Sequence, residues 1–130
     1  MSTIFSKIIS GEIPSYKIAE DENYFAFLDV RPLVKGHTLV IPKKEVDYLF
    51  DIEDQALSGL VLFAKKIAIA IKKSIPCTKV GVAVIGLEVA HAHIHLVPIN
   101  AVSDLNFANA KLELEAEEMQ EISSKIRAAV

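Results

Sequence analysis

Histidine alternates with an apolar residue along His91-Ala92-His93-Ile94-His95-Leu96-Val97. In an extended chain successive side chains point to opposite faces, so a strand here sets His91, His93 and His95 on one side and Ile94 and Leu96 on the other. Same-face neighbours then stand about 7 Å apart. On a helix the three rings would fan apart, and the pattern would have no evident purpose. The segment therefore predicts a strand over His91 to Ile99, with three of the chain's four histidines in a row.

The rest of the chain supplies partners for that strand. Ile4 to Ile9 reads as a short helix ended by Ser10-Gly11. Tyr16 to Ala19 and Tyr24 to Val30 are strand candidates about an Asp21-Glu22-Asn23 turn. His37 to Ile41 follows as a third, stopped by Pro42. Asp51 is placed to cap a long helix to Lys73, on which Leu57, Leu60, Val61, Ala64, Ile67, Ala68 and Ile71 make one apolar face. Ile69 and Phe63 extend the apolar stripe beyond that face. Lys79 to Ile85 is a further strand. Lys111 to Arg127 reads as a charged amphipathic helix burying Leu112, Met119, Ile122 and Ile126. Strands early and late around one long helix predict an α+β fold with an antiparallel sheet of about five strands. Residues 1–130 are expected to form a single domain.

Composition narrows the partners. With 52% hydrophobic residues, the 130-residue chain has enough apolar content for one core. A formal net charge of −3 supplies no basic footprint for nucleic acid. No run reaches the roughly 18 consecutive apolar residues of a membrane span, and the first residues lack a signal peptide's apolar stretch. The single cysteine, Cys77, rules out an intramolecular disulfide framework. A cytoplasmic location is the resulting expectation.

From the residues alone, the histidine row allows three readings. Imidazoles at this spacing could hold zinc. They could also run phosphoryl chemistry: neutral imidazole is a nucleophile near pH 7, a second ring can donate to a nonbridging oxygen, and a third can orient the first. The plain structural alternative is a solvated row on an exposed strand.

At this point the chain resembles the histidine triad (HIT) family, whose signature is His-φ-His-φ-His-φ-φ with φ apolar; His91 to Val97 fits it throughout. Ile4-Phe5-Ser6-Lys7-Ile8-Ile9, Gly11-Glu12-Ile13-Pro14, Ala26-Phe27-Leu28-Asp29-Val30 and Gly36 to Lys43 are similar to family blocks, in family order. The resemblance spans roughly residues 3 to 100 and implies a HIT core over 1–100, followed by a largely helical C-terminal extension over 101–130. It implies a hydrolase or nucleotidyl transferase acting at the α-phosphorus of purine nucleotide conjugates, phosphoramidates or dinucleoside polyphosphates among them. His93 would be the nucleophile, through a covalent nucleotidyl-histidine. His95 would bond a nonbridging oxygen, His91 would organise the site, and His37 would meet the row from the neighbouring strand. Asp29 would hold the ribose hydroxyls, with Phe5, Ile8, Phe27 and Val30 as apolar walls around the base. No cofactor is implied, and a homodimer built on the long helix and a central strand is. A non-catalytic nucleotide sensor on the same fold is the alternative.

Three departures bear on this. Where many family members carry Ala-Gly-Gln and then a hydroxyl residue, this chain has Ile85-Gly86-Leu87-Glu88. Leu87 cannot bond a phosphate oxygen, while Glu88, when protonated, is expected to serve the leaving group as proton donor. Val80 stands where a polar side chain is usual. Thr3, Ser6 and Glu45 replace the two cysteines and the histidine that hold a structural zinc in some bacterial members, so no metal is expected there.

Overall fold

The computed structural model describes residues 3–130. Its centre is a five-stranded antiparallel sheet of β1 (Lys17–Glu20), β2 (Tyr24–Leu28), β3 (Thr38–Pro42), β4 (Lys79–Ala83) and β5 (Ile94–Ile99), in the order β1-β2-β3-β5-β4. Three α-helices accompany it: α1 (Ile4–Ser10), α2 (Asp54–Ser74) and α3 (Ala116–Ala129). The architecture is therefore α+β. Among the described residues, no helix is long and apolar enough to cross a membrane.

The two faces of the sheet bury different sets of residues, as the period of two requires. On one face Ile18, Ala26, Leu28, Val40, Ile94 and Leu96 form the main core with Leu60, Phe63, Ile67 and Ile71 of α2 and Met119, Ile122 and Ile126 of α3. On the other, Phe25, Phe27, Leu39 and Ile41 pack with Phe5 of α1. The register sets Phe27 opposite Leu39, and Leu39 opposite His95, so the histidine side chain emerges on this second, thinner face. Two glycines hold the route. Gly11 ends α1 at φ 85°. Gly36 turns the chain into β3 at φ 95°, where a Cβ would meet Ile75 and Pro98 side chains at 3.2 Å.

Several expected boundaries move. β5 begins at Ile94, so His91, Ala92 and His93 lie outside the ladder. The register would set Ala92 opposite Pro42, which has no N–H to give, and the Ala92 N–H bonds the Val46 carbonyl in the following loop instead. The alternation survives this, because Ala92 still packs in the main core with Ile94 and Leu96. Asp51 does not cap α2: it closes a 3-10 turn over Leu49–Asp51, and buried Ile52 then draws the chain extended before the helix starts at Asp54. On α2, Val61 faces out and Phe63 faces in, against Tyr24. β2 stops at Leu28 and β4 at Ala83, short of Val30 and Ile85. α3 starts at Ala116, not Lys111, because the preceding chain is pinned by the Leu112 N–H on the Pro32 carbonyl. Leu112 is thus not a helix residue.

Candidate active site

The second face carries a cavity of about 420 Å³ lined by His93, His95, Asp29 and Glu88, with Phe5, Leu39 and Val89 among its apolar walls. His93 and His95 come from the row. Asp29 follows β2 by one residue and therefore points to the same side as Phe25 and Phe27.

Hydrogen bonds set the state of each ring. His93 Nδ1 lies 2.8 Å from the His91 carbonyl, which can only accept, so Nδ1 carries the proton. In the neutral ring Nε2 then carries the lone pair, and it has no partner among the described residues. The Leu33 N–H donates to His37 Nδ1 at 3.0 Å, so His37 bears its proton on Nε2 and donates it to His95 Nδ1 at 2.9 Å. That leaves His95 with an Nε2–H donor free of protein partners. His91 donates through Nε2 to the Pro42 carbonyl at 2.8 Å, and its Nδ1 accepts from the Thr3 hydroxyl at 3.1 Å. Every ring nitrogen used for support has one defined role, and one nitrogen each of His93 and His95 remains for a ligand.

Burial decides the charges. It pulls the pKa of His95 down to about 3 and that of His37 down to about 4, with the neighbouring imidazoles and Lys111 acting in the same direction. Burial lowers His91 as well, against the Pro42 carbonyl and Glu45, which favour its charged form. Burial raises the Asp29 carboxyl, opposed by the Arg31 N–H on Oδ1 at 2.9 Å. The 3.7 Å approach of His37 Nε2 to Asp29 Oδ2 is thus not an ion pair at neutral pH, because His37 is uncharged there.

Asp29, His37 and His95 place possible ligand atoms within 4.8 Å of one another. The bonding already present argues against a metal. With its Nδ1 accepting a backbone N–H, His37 could ligate through Nε2 only as an imidazolate. The place of the structural zinc does not fit a metal either. Glu45 Oε1 accepts from the Ser6 hydroxyl at 2.7 Å and the Thr3 N–H at 3.1 Å, and Thr3 caps α1 and bonds His91. Two hydroxyls and an exposed carboxylate, satisfied by one another, are not the soft or imidazole donors zinc takes.

The apolar walls differ from expectation. Phe5 lines the cavity and meets His93 edge-on, with ring centroids 5.0 Å apart. Phe27 stands behind Phe5 at 5.6 Å, and half-buried Ile8 packs on the same cluster, so both back the cavity without lining it. Val30 is not in this site. It stands in the bend that the Arg31 N–H closes onto Asp29 Oδ1, and it lies 62% exposed beside a separate hollow with Tyr16 and Arg127. Leu87 and Glu88 are at the cavity rim, and both are exposed.

Besides Leu39 and Val89, Phe107 and Lys111 escaped the sequence reading. Phe107 sits edge-on to His95 at 4.7 Å, and Lys111 holds its ammonium 5.5 Å above the Phe107 ring. Both line the cavity. The one available signal was that Phe107 is the only aromatic residue after Phe63.

A row of individually oriented imidazoles that runs into β5 beside a carboxylate defines the class of protein: a HIT domain, whose family model matches residues 10–102. The chain belongs to the HIT family. It is similar to an uncharacterized HIT-like protein of Borreliella burgdorferi, 38% identical over 95% of this chain and 94% of that one. The adenosine 5'-monophosphoramidase HNT1 of Saccharomyces cerevisiae is 41% identical over 73% of this chain and 61% of that protein. Among solved structures, a Hit-like protein from Bartonella henselae superposes with a TM-score of 0.86 at 34% identity, covering 99% of this chain and 96% of that one.

Proposed function

We propose that this protein is a nucleotide hydrolase or nucleotidyl transferase acting at the α-phosphorus of purine nucleotide conjugates. The observation that carries this reading is the His93–His91 hydrogen bond of 2.8 Å, which leaves a lone pair on Nε2 of a cavity-lining ring. That nitrogen attacks phosphorus, a P–N bond forms, and the bond to the leaving group breaks. Water then attacks the nucleotidyl-histidine and releases the nucleotide, restoring the ring. His95 Nε2–H donates to a nonbridging oxygen, where a preorganised donor counts most as charge develops. Asp29 accepts from the ribose hydroxyls, and Phe5 and its neighbours take the base. The similarity to a yeast adenosine monophosphoramidase supports a purine nucleotide and, as leaving group, an amine. Glu88 stands at the rim as the group that protonates it.

The exposed Val61, Leu62 and Ile69 on α2 and Val82 on the edge strand β4 support assembly as a homodimer.

The decisive experiment stops turnover of adenosine 5'-phosphoramidate under alkaline denaturing conditions and maps the modified peptide by mass spectrometry. An adenylyl group on His93 is expected, with His93→Ala retaining nucleotide binding and losing turnover. Turnover that survives in His93→Ala would overturn the mechanism; nucleotide binding without turnover in the wild type would favour a sensor.

A further inference from the structure

A cation beside the His95 donor strengthens the hold on an anionic phosphate, and the part of the cavity within residues 10–102 supplies no lysine or arginine. Burial keeps His95 neutral, and the ionisable groups lining the cavity besides the histidines are two carboxylates, Asp29 and Glu88, and the ammonium of Lys111. Without Lys111 an anionic phosphate would enter against two acidic groups. Lys111 comes from the chain beyond residues 10–102, the part matched by the family model.

Its position is built. The Lys111 ammonium donates to the Phe107 carbonyl at 2.8 Å and lies over the Phe107 ring, leaving two of its three N–H groups uncommitted. Among the described residues it forms no ion pair within 4.0 Å. The segment that carries it is held at both ends. The Asn109 side chain donates to the Ser103 carbonyl at 2.7 Å, and the Leu112 N–H donates to the Pro32 carbonyl at 2.8 Å. Phe107, within the turn that the Ser103–Asn109 bond closes, contacts His95. Holding the ammonium in place lowers the entropy lost when it grips a ligand.

We infer that Lys111 is a substrate-binding residue that takes the nucleotide's α-phosphate beside His95, so that the C-terminal extension supplies the charge selectivity of the site. This rests on the nucleotide reading above and deepens it: the ligand class is nucleotides with an anionic α-phosphate, and a nucleoside gains nothing from Lys111. Phe107 acts through its neighbours, fixing the ring of His95 and the stem of Lys111, and is a positioning residue.

The test is calorimetric titration of AMP and of adenosine into wild type, Lys111→Met and Lys111→Arg, at low and high salt. Lys111→Met is expected to weaken AMP about tenfold or more and to leave adenosine unchanged, with Lys111→Arg retaining most of the AMP affinity. Should Lys111→Met not fold, the wild type still decides, since added salt must weaken AMP and spare adenosine. AMP affinity that is equal in wild type and Lys111→Met, or adenosine weakened as much as AMP, overturns the inference while the nucleotide reading stands. Failure of the wild type to bind AMP at all removes both.

Discussion

The Thr3 hydroxyl donates to His91 Nδ1 at 3.1 Å across 88 residues of chain. The same oxygen accepts the Ser6 N–H at 3.1 Å, so one side chain both caps α1 and orients the first imidazole of the row. Since α1 carries Phe5 onto His93, the cap also seats a wall of the cavity. Thr3→Val, which keeps shape and removes both bonds, is expected to lower unfolding free energy by about 1–2 kcal/mol, with Thr3→Ser near wild type. Urea denaturation at neutral pH measures this, and a Thr3→Val midpoint equal to wild type would refute it.

Stability should fall with acid in a window set by the buried rings. Folded His37 and His95 titrate at about 4 and about 3, against roughly 6.5 in an unfolded chain. Below pH 6.5 the unfolded state takes up protons that the folded state refuses. The stabilising contribution of the neutral rings is thus complete above about pH 6.5 and is lost as pH falls toward the folded values. Burial of His91 acts with the same sign. Each ring adds a slope approaching roughly 1.4 kcal/mol per pH unit, so unfolding free energy is expected to drop by roughly 2–4 kcal/mol from about pH 7 to about pH 5. Denaturant melts across this range provide the check, with a shallower slope for His95→Gln; a flat profile would show that burial does not keep His37 and His95 neutral.

Glu88 tests the leaving-group side of the site. Removing its ability to donate a proton should matter most where the departing group is basic. Glu88→Gln is expected to cut turnover of an alkylamine phosphoramidate about tenfold or more, and to spare a substrate with a nitrophenolate leaving group. Steady-state kinetics on the pair decide it. Equal losses on both would assign Glu88 to binding or shape.

The proposed homodimer makes its own demand on α2. Leu62 is 65% exposed on a helix whose opposite face is in the core. Leu62→Glu is expected to convert a species of twice the chain mass into one chain, measured by sedimentation equilibrium. A wild type that sediments as a single chain would remove the proposal.

What the amino-acid order determined alone is whatever depends on local periodicity. The alternation through His91 to Val97 separates imidazoles from core residues even though only Ile94 onward joins the ladder, because side-chain direction needs an extended backbone and not a paired one. The apolar repeat of α2 and the face of α3 formed by Met119, Ile122 and Ile126 are legible for the same reason. Tertiary structure decided what depends on residues distant in sequence. Val30 leaves the site for a hollow it shares with Arg127 of α3, and Phe107 and Lys111 enter because the Pro32 carbonyl pins the chain ahead of α3. The states of the imidazoles belong to this second group. They follow from the Leu33 and Thr3 donors, the Pro42 carbonyl and burial beneath α1, which exist only once the chain has closed on itself.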